Sequence, residues 1–128
     1  MSPNSAHILL IEDNLRLARL VAMELRDVGY RVNVASSGTT GLQMALRLSP
    51  DLILLDWSLP DVDGMSVCRQ LRAACYPCPI IVITSRSEQD CRSICLQSGA
   101  DTYLIKPFDL DALLNRVAAY QQVCGSAA

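Results

Sequence analysis

Short apolar segments alternate with segments of helical periodicity along the chain. Five apolar segments have the length and the branched or aromatic content of strands: HILLI (7–11), RVNVA (31–35), DLILLD (51–56), PIIVIT (79–84) and TYLI (102–105). Strands that are apolar along their whole length are typical of parallel sheets covered on both faces. The pattern therefore predicts a buried parallel sheet.

Helical patterns fill the intervals between these strands. Apolar residues within 17–28 fall on one helical face, and Gly29 follows where a helix C-terminus is expected. A similar face at 110–117 follows Asp109, a residue type that caps helix N-termini. Gly99 is expected to end the fourth helix. The other three helices are predicted at 37–49, 63–75 and 87–98.

Five βα units in 128 residues predict one small α/β domain. We expect a (βα)5 fold, a doubly wound parallel five-stranded sheet with the flavodoxin-like order 2-1-3-4-5. The single domain is expected to span 1–128, with its core at about 6–120 and with 121–128 as a tail or the start of a linker.

Composition and charge exclude several classes of protein. Apolar residues make up 51% of the chain, but no run approaches the roughly 18 needed to cross a bilayer, so no membrane segment is expected. The net charge of −2 and the scattered arginines argue against direct nucleic-acid binding by this domain. The beginning MSPNSAH lacks the features of a secretion signal, and six cysteines without such a signal indicate reduced thiols and a cytoplasmic location.

Polar residues stand at the carboxyl ends of four predicted strands, which is the edge where such sheets bind ligands. They are Glu12, Asp13, Asp56, Thr84 and Lys106, the only lysine in the chain. Each has a structural explanation when taken alone: the acidic residues after the first strand as helix caps, Asp56 as a turn residue, Thr84 as a strand residue and Lys106 as a surface residue. Their shared position favours a common site.

The residue types at this edge suit phosphoryl chemistry. Three clustered carboxylates repel one another unless a cation neutralises them, and an all-oxygen donor set favours Mg²⁺ over Zn²⁺. Lys106 would neutralise phosphoryl oxygens, Thr84 would donate a hydrogen bond, and a carboxylate would attack phosphorus in line. The predicted product is an acyl phosphate on aspartate.

The sequence resembles the receiver domain of two-component response regulators over about residues 6–120. The resemblance rests on four motifs in order: LLIEDN (9–14), DLILLDWSLPDVDG (51–64), IIVITSR (80–86) and SGADTYLIKPF (98–108). It implies that Asp56 is the phosphoacceptor. It also implies that Glu12, Asp13, Asp56 and the backbone carbonyl of Ser58 hold Mg²⁺.

The resemblance assigns further roles around this site. Thr84 and Lys106 take the phosphoryl oxygens, and a cis peptide before Pro107 is common in the family. Thr84 and Tyr103 look like the switch pair that changes the face built from the fourth helix, fifth strand and fifth helix upon phosphorylation.

The resemblance also implies a signalling switch rather than a metabolic enzyme. Such a domain accepts phosphate from a histidine kinase or phosphotransfer protein, and it catalyses its own phosphorylation and dephosphorylation. It then controls an output domain or a target protein. The likeness is greatest to receivers of winged-helix transcription factors, which implies a role in transcription regulation.

Receivers of that group typically dimerise through charged pairs on the switch face. Here Arg92, Asp101 and Arg116 occupy this face. Their expected partner positions are uncharged: Ala112, Asn115 and Thr102. We therefore expect a monomer or a weak dimer.

CYPC (75–78) supports an alternative function, a stand-alone redox-sensing interaction module that uses Cys75 and Cys78. The same cysteines would also fit as small buried apolar residues. SSGTTG (36–41) resembles a phosphate-binding glycine loop but lacks the Gly-Lys-Ser/Thr ending of a P-loop, so nucleotide binding is not favoured.

Overall fold

The computed structural model describes residues 6–126, with the side chains of 6–121. Five strands alternate with five helices along the chain. The strands are β1 (His7–Ile11), β2 (Arg31–Ala35), β3 (Leu52–Asp56), β4 (Ile80–Thr84) and β5 (Thr102–Ile105). The helices are α1 (Leu15–Asp27), α2 (Gly38–Leu48), α3 (Gly64–Ala73), α4 (Glu88–Ser98) and α5 (Leu110–Ser126).

The strands form one parallel sheet in the order β2-β1-β3-β4-β5, which confirms the predicted fold. Three strands have the predicted bounds, while β3 and β4 each begin one residue later than predicted. Pro79 lacks the N–H that a central strand donates. Asp51 precedes β3, and its carboxylate accepts a hydrogen bond at 2.7 Å from the backbone N–H of His7, the first residue of β1.

Two apolar cores cover the two faces of the sheet. Alternate residues of a strand point to opposite faces, so Leu10 and Leu54 lie in the core under α1 and α5. Leu9 and Ile53 lie in the core under α2, α3 and α4. All residues of β1, β3 and β4 are buried, which explains why these segments are apolar throughout.

Several predicted helix ends are confirmed. Gly99 ends α4 with a positive φ of 86°, and Asp109 accepts a hydrogen bond from the backbone N–H of Ala112 at 2.7 Å. The cap of α1 is Asn14, whose side chain accepts from the backbone N–H of Leu17. Capping is therefore not the role of Asp13. The fifth helix continues beyond residue 120 to Ser126, and residues 127–128 of the predicted tail lie outside the described part.

The chain order places the carboxyl ends of β1 and β3 side by side. The chain passes from β1 to β2 on one side of β1, and the next connection brings it to β3 on the other side of β1. Open α/β sheets bind ligands at the point between two strands where the strand order reverses in this way. Glu12 follows β1 and Asp56 ends β3, so both lie at this point. Within residues 6–126, no helix combines the length and apolar character needed to cross a bilayer.

Candidate functional site

Three carboxylates meet at the carboxyl edge of the sheet. One oxygen of each of Glu12, Asp13 and Asp56 lies within 4.8 Å of the others, and we call these residues the acidic cluster. Glu12 and Asp56 are only 1% and 3% exposed, whereas Asp13 is open to solvent. Such a set of hard oxygen donors, open on one side, fits a divalent cation such as Mg²⁺.

Glu12 is held in place by the backbone around it. Its N–H donates to the carbonyl of Ala35 at 2.9 Å, and its carboxylate accepts from the N–H of Asn14 at 3.1 Å. Burial raises the pKa of Glu12 from 4.5 to about 7. The hydrogen bond from Asn14 opposes this shift, and the neighbouring Asp56 carboxylate adds to it. Without a cation, the site therefore disfavours full ionisation of the cluster.

Lys106 joins the two buried carboxylates. Its Nζ lies 3.4 Å from Oε1 of Glu12 and 3.4 Å from Oδ1 of Asp56, and the side chain is 29% exposed. The backbone N–H of Lys106 donates to the carbonyl of Thr84 at 2.7 Å, which attaches this residue to the end of β4. The predicted cis peptide between Lys106 and Pro107 is confirmed. The only lysine of the chain thus lies at the acidic cluster.

The segment after Asp56 forms one wall of the site. The backbone N–H of Ser58 donates to Oδ1 of Asp56 at 3.2 Å, which orients that carboxylate. Trp57 is 7% exposed and packs on Gly64, where an added Cβ would lie 2.4 Å from Cε3 of the indole. Since only glycine leaves room there, α3 begins directly against the tryptophan next to Asp56.

Thr84 and Tyr103 lie on neighbouring strands. Thr84 ends β4, is 2% exposed and accepts a hydrogen bond from the backbone N–H of Arg86 at 3.2 Å. The strand pairing places Ile83 opposite Asp56, so Thr84 lies one residue further along its strand than the level of Asp56. Tyr103 is half-buried and packs against the core under α2, α3 and α4. Its ring is thus neither fixed inside the core nor fully exposed.

Sequence reasoning missed two contacts of the segment DVDG. Asp63 caps α3 by accepting from the N–H of Ser66 at 2.8 Å, a spacing that the sequence does signal. The carboxylate of Asp61 instead accepts from the backbone N–H groups of Gly38 and Thr39, both at 2.9 Å. These partners lie 23 and 22 residues away along the chain, so no local sequence pattern predicts these hydrogen bonds.

Two charged residues on the face made by α4, β5 and α5 have partners in their own chain. Arg116 donates to the hydroxyl of Thr102 at 2.8 Å and to the carbonyl of Tyr103. Asp101 forms an ion pair with Arg72 at 2.9 Å and accepts from the backbone N–H of Ile80 at 2.8 Å. Arg116 and Asp101 are thus committed to intramolecular contacts.

No disulfide joins any two of the five cysteines whose side chains are described. Cys75 is exposed with a positive φ of 59°, and Cys78 is 4% exposed. Burial raises the pKa of Cys68 to about 11, and it also raises the pKa values of Cys91 and Cys95, so these thiols resist forming thiolates. The redox alternative for Cys75 and Cys78 stays a prediction that thiol titration with and without oxidant would decide.

Similar proteins include response regulators of staphylococci. Response regulator ArlR of Staphylococcus saprophyticus is 43% identical over 112 residues, which cover 88% of this chain and 50% of ArlR. ArlR of Staphylococcus aureus is 41% identical over 112 residues, which cover 88% of this chain and 51% of that protein. The chain spans about half the length of the curated relatives it matches.

Solved structures of similar fold include receiver domains. The receiver domain of sensor histidine kinase PA1611 from Pseudomonas aeruginosa, with a magnesium ion in its active site cleft, has a TM-score of 0.83 and 36% identity, covering 92% of this chain and 98% of that one. The BeF3-activated N-terminal receiver domain of Klebsiella pneumoniae RstA has a TM-score of 0.83 and 33% identity, covering 90% and 97%. The family model of the response regulator receiver domain matches residues 8–118, which contain the acidic cluster and Lys106. The chain therefore belongs to the response regulator receiver domain family, a family of two-component signalling switches.

Proposed function

We propose that the chain is a phosphorylation-dependent switch in which Asp56 accepts a phosphoryl group from a histidine kinase or a phosphotransfer protein. One observation carries the proposal. The Lys106 ammonium lies 3.4 Å from both Glu12 and Asp56 at the carboxyl edge of the sheet. Three ionised carboxylates and one ammonium leave two negative charges, which a divalent cation would balance.

The residues that would hold Mg²⁺ are Glu12, Asp13 and Asp56, together with the backbone carbonyl of Ser58. When bound, Mg²⁺ neutralises charge on the phosphoryl oxygens and on the acidic cluster. The convergence of the three carboxylates supports this assignment. The magnesium-bound receiver of PA1611 supports it by likeness.

The proposed transfer reaction starts from the carboxylate of Asp56 at the carboxyl edge of the sheet. One carboxylate oxygen attacks phosphorus in line, an O–P bond forms, and the N–P bond of the donor phosphohistidine breaks with its electron pair left on the imidazole nitrogen. Lys106 and Thr84 would contact the phosphoryl oxygens as charge moves onto them. Water attack on the same phosphorus would release phosphate and restore the carboxylate, so the domain would catalyse both steps itself.

The donor would approach beside Lys106. An open cleft of about 660 Å³ lies between α1 and the segment after β5, and its walls include Leu17, Leu20 and Phe108. Lys106 also lines this cleft, which therefore combines apolar walls with a basic residue of the proposed site. A protein donor could therefore pack on its apolar part while presenting its phosphoryl group to Asp56.

Phosphorylation would change the face made by α4, β5 and α5. The hydroxyl of Thr84 now accepts from the N–H of Arg86, and donating to a phosphoryl oxygen would draw it toward Asp56. Tyr103, half-buried on the neighbouring strand, would move into the vacated space. The charge event would thus shift a two-state surface that an output domain or a target protein reads.

We propose that residues 1–128 form one receiver domain and that this domain is located in the cytoplasm. We also propose that it takes part in transcription regulation. The 43% identity to response regulator ArlR and the resemblance to receivers of winged-helix transcription factors support this role. Arg116 and Asp101, both bonded within the chain, support a monomer or a weak dimer.

Trp57 provides the test because it is adjacent to Asp56. Mg²⁺ and then beryllofluoride should each change its fluorescence, acetyl phosphate should label the protein, and Asp56→Asn should remove the beryllofluoride response and the label. A parent protein that shows neither response nor labelling would refute the proposal.

Lys106→Arg tests the role of the ammonium. The planar guanidinium is bulkier and cannot pivot as an ammonium does, so Mg²⁺ binding should survive while phosphorylation no longer changes the environment of Tyr103. Tyrosine NMR signals with and without beryllofluoride would measure this. Normal switching in the variant would show that the lone lysine is incidental.

A further inference from the structure

The loop that leaves Asp56 is attached to the start of a different helix. In residues 57–63, the β3–α3 loop, Asp61 accepts hydrogen bonds from the backbone N–H groups of Gly38 and Thr39, both at 2.9 Å. Both donors belong to the first turn of α2, whose unpaired N–H groups attract anions. The N–H of Thr39, its hydroxyl and the N–H of Gly38 hold the pKa of Asp61 well below its usual range.

Packing reinforces this attachment. A Cβ added at Gly38 would lie 2.6 Å from Cγ2 of Val62 and 3.3 Å from Cγ2 of Val67. The β3–α3 loop therefore lies directly against the first turn of α2, and a glycine at that turn permits the approach. At its base the loop is closed by the N–H of Gly64, which donates to the carbonyl of Trp57 at 3.2 Å.

Ser58 lies between these two attachments. Its N–H contacts Asp56 at 3.2 Å, and its carbonyl is a proposed ligand of Mg²⁺. The side chains of Ser58, Pro60 and Asp61 are exposed, so packing of these residues contributes little to the position of the loop. Groups that orient metal ligands without touching the metal commonly change affinity when removed.

We propose that Asp61 is a positioning residue for the Mg²⁺ site, because it ties the loop that carries Ser58 to the N-terminus of α2. This inference rests on the proposed function, which supplies the ligand role of Ser58. Its consequence is that cation affinity depends on a helix that contributes no ligand. The contact also links the phosphoryl pocket to the β2–α2 side of the domain.

The experiment measures Mg²⁺ affinity by titrating Trp57 fluorescence in the parent and in three variants. Asp61→Ala removes both acceptors and should weaken Mg²⁺ binding by about tenfold. Asp61→Asn keeps one side-chain oxygen and a good capping group, so its affinity should stay within about threefold of the parent. Ser37→Ala is the matched control, since it removes another cap of α2, the contact from the N–H of Thr40 at 3.2 Å, without touching the loop.

Urea unfolding without Mg²⁺ is measured on the same proteins to separate stability from affinity. Ser37→Ala should lower stability while leaving Mg²⁺ affinity within about twofold of the parent, because Ser37 caps α2 through Thr40 and leaves both hydrogen bonds of Asp61 in place. Equal affinity of Asp61→Ala and the parent would overturn the inference and leave the proposed function standing. An equal loss of affinity in Ser37→Ala would overturn it too, because general loosening of α2 would then be the cause. Absence of Mg²⁺ binding by the parent would instead overturn the proposed function.

Discussion

Glu12 should make the metal-free protein less stable as the pH rises. Its pKa is raised from 4.5 to about 7 in the folded chain, mainly by burial and also by the adjacent Asp56. One pKa unit corresponds to 1.36 kcal/mol, so ionising Glu12 in the folded state costs about 3 kcal/mol relative to the unfolded chain. That is a large share of the stability of a domain of this size.

The direction follows from proton binding. Between pH 4.5 and about 7, the folded state holds a proton on Glu12 that the unfolded state has lost. The free energy of unfolding therefore falls as pH rises through this window, and it levels off above the folded pKa. Mg²⁺ should reverse the loss, because a bound cation favours the ionised cluster.

The assay is urea unfolding across this pH window, with a chelator and then with excess Mg²⁺. Without metal, the parent should lose about 3 kcal/mol, whereas Glu12→Gln, which keeps the shape and has no proton to lose, should stay nearly flat. Glu24→Gln on α1, outside the acidic cluster, is the control and should follow the parent. A parent that is equally stable across the window without metal would refute the reasoning.

Three further predictions concern packing, backbone and association. Gly64→Ala should destabilise the fold by about 1–3 kcal/mol in urea unfolding and change the emission spectrum of Trp57, because the added Cβ would lie 2.4 Å from the indole. An unchanged unfolding midpoint together with an unchanged emission spectrum would contradict this packing. Cys75→Gly should stabilise by about 1 kcal/mol, because glycine relieves a φ of 59°, and an unchanged or lower unfolding midpoint would count against it. Sedimentation equilibrium should show a monomer or weak dimer with and without beryllofluoride, since Arg116 is bonded within the chain; a tight activated dimer that Arg116→Glu abolishes would contradict this.

The sheet and the site edge could be predicted because they depend on periodic and topological rules. Strands that are apolar along their whole length indicate a parallel sheet covered on both faces. Parallel strands bring all their carboxyl ends to one edge of the sheet, and Glu12, Asp56 and Lys106 lie at these ends. Asp13 and Asn14 are both common capping residues, so the sequence does not decide which one caps α1. The contact of Asp61 with α2 depends on the path of a loop, and no local spacing encodes such a path.

The buried part of the site belongs to the sheet's own hydrogen-bond ladder. The N–H of Glu12 donates to Ala35 and that of Trp57 to Ile83, both at 2.9 Å, so the ladder continues past the last residue of β1 and of β3. Breaking these bonds requires opening the central strands, which are the elements that open only with global unfolding. The exposed residues of the β3–α3 loop, Ser58, Pro60 and Asp61, lie outside this ladder, so we expect this part of the loop to open at a lower free energy. The wall formed by Glu12 and Asp56 should therefore open only when the whole fold opens. The wall formed by the loop can rearrange many times between such events, which lets a cation or a phosphoryl group enter without disturbing Glu12 or Asp56.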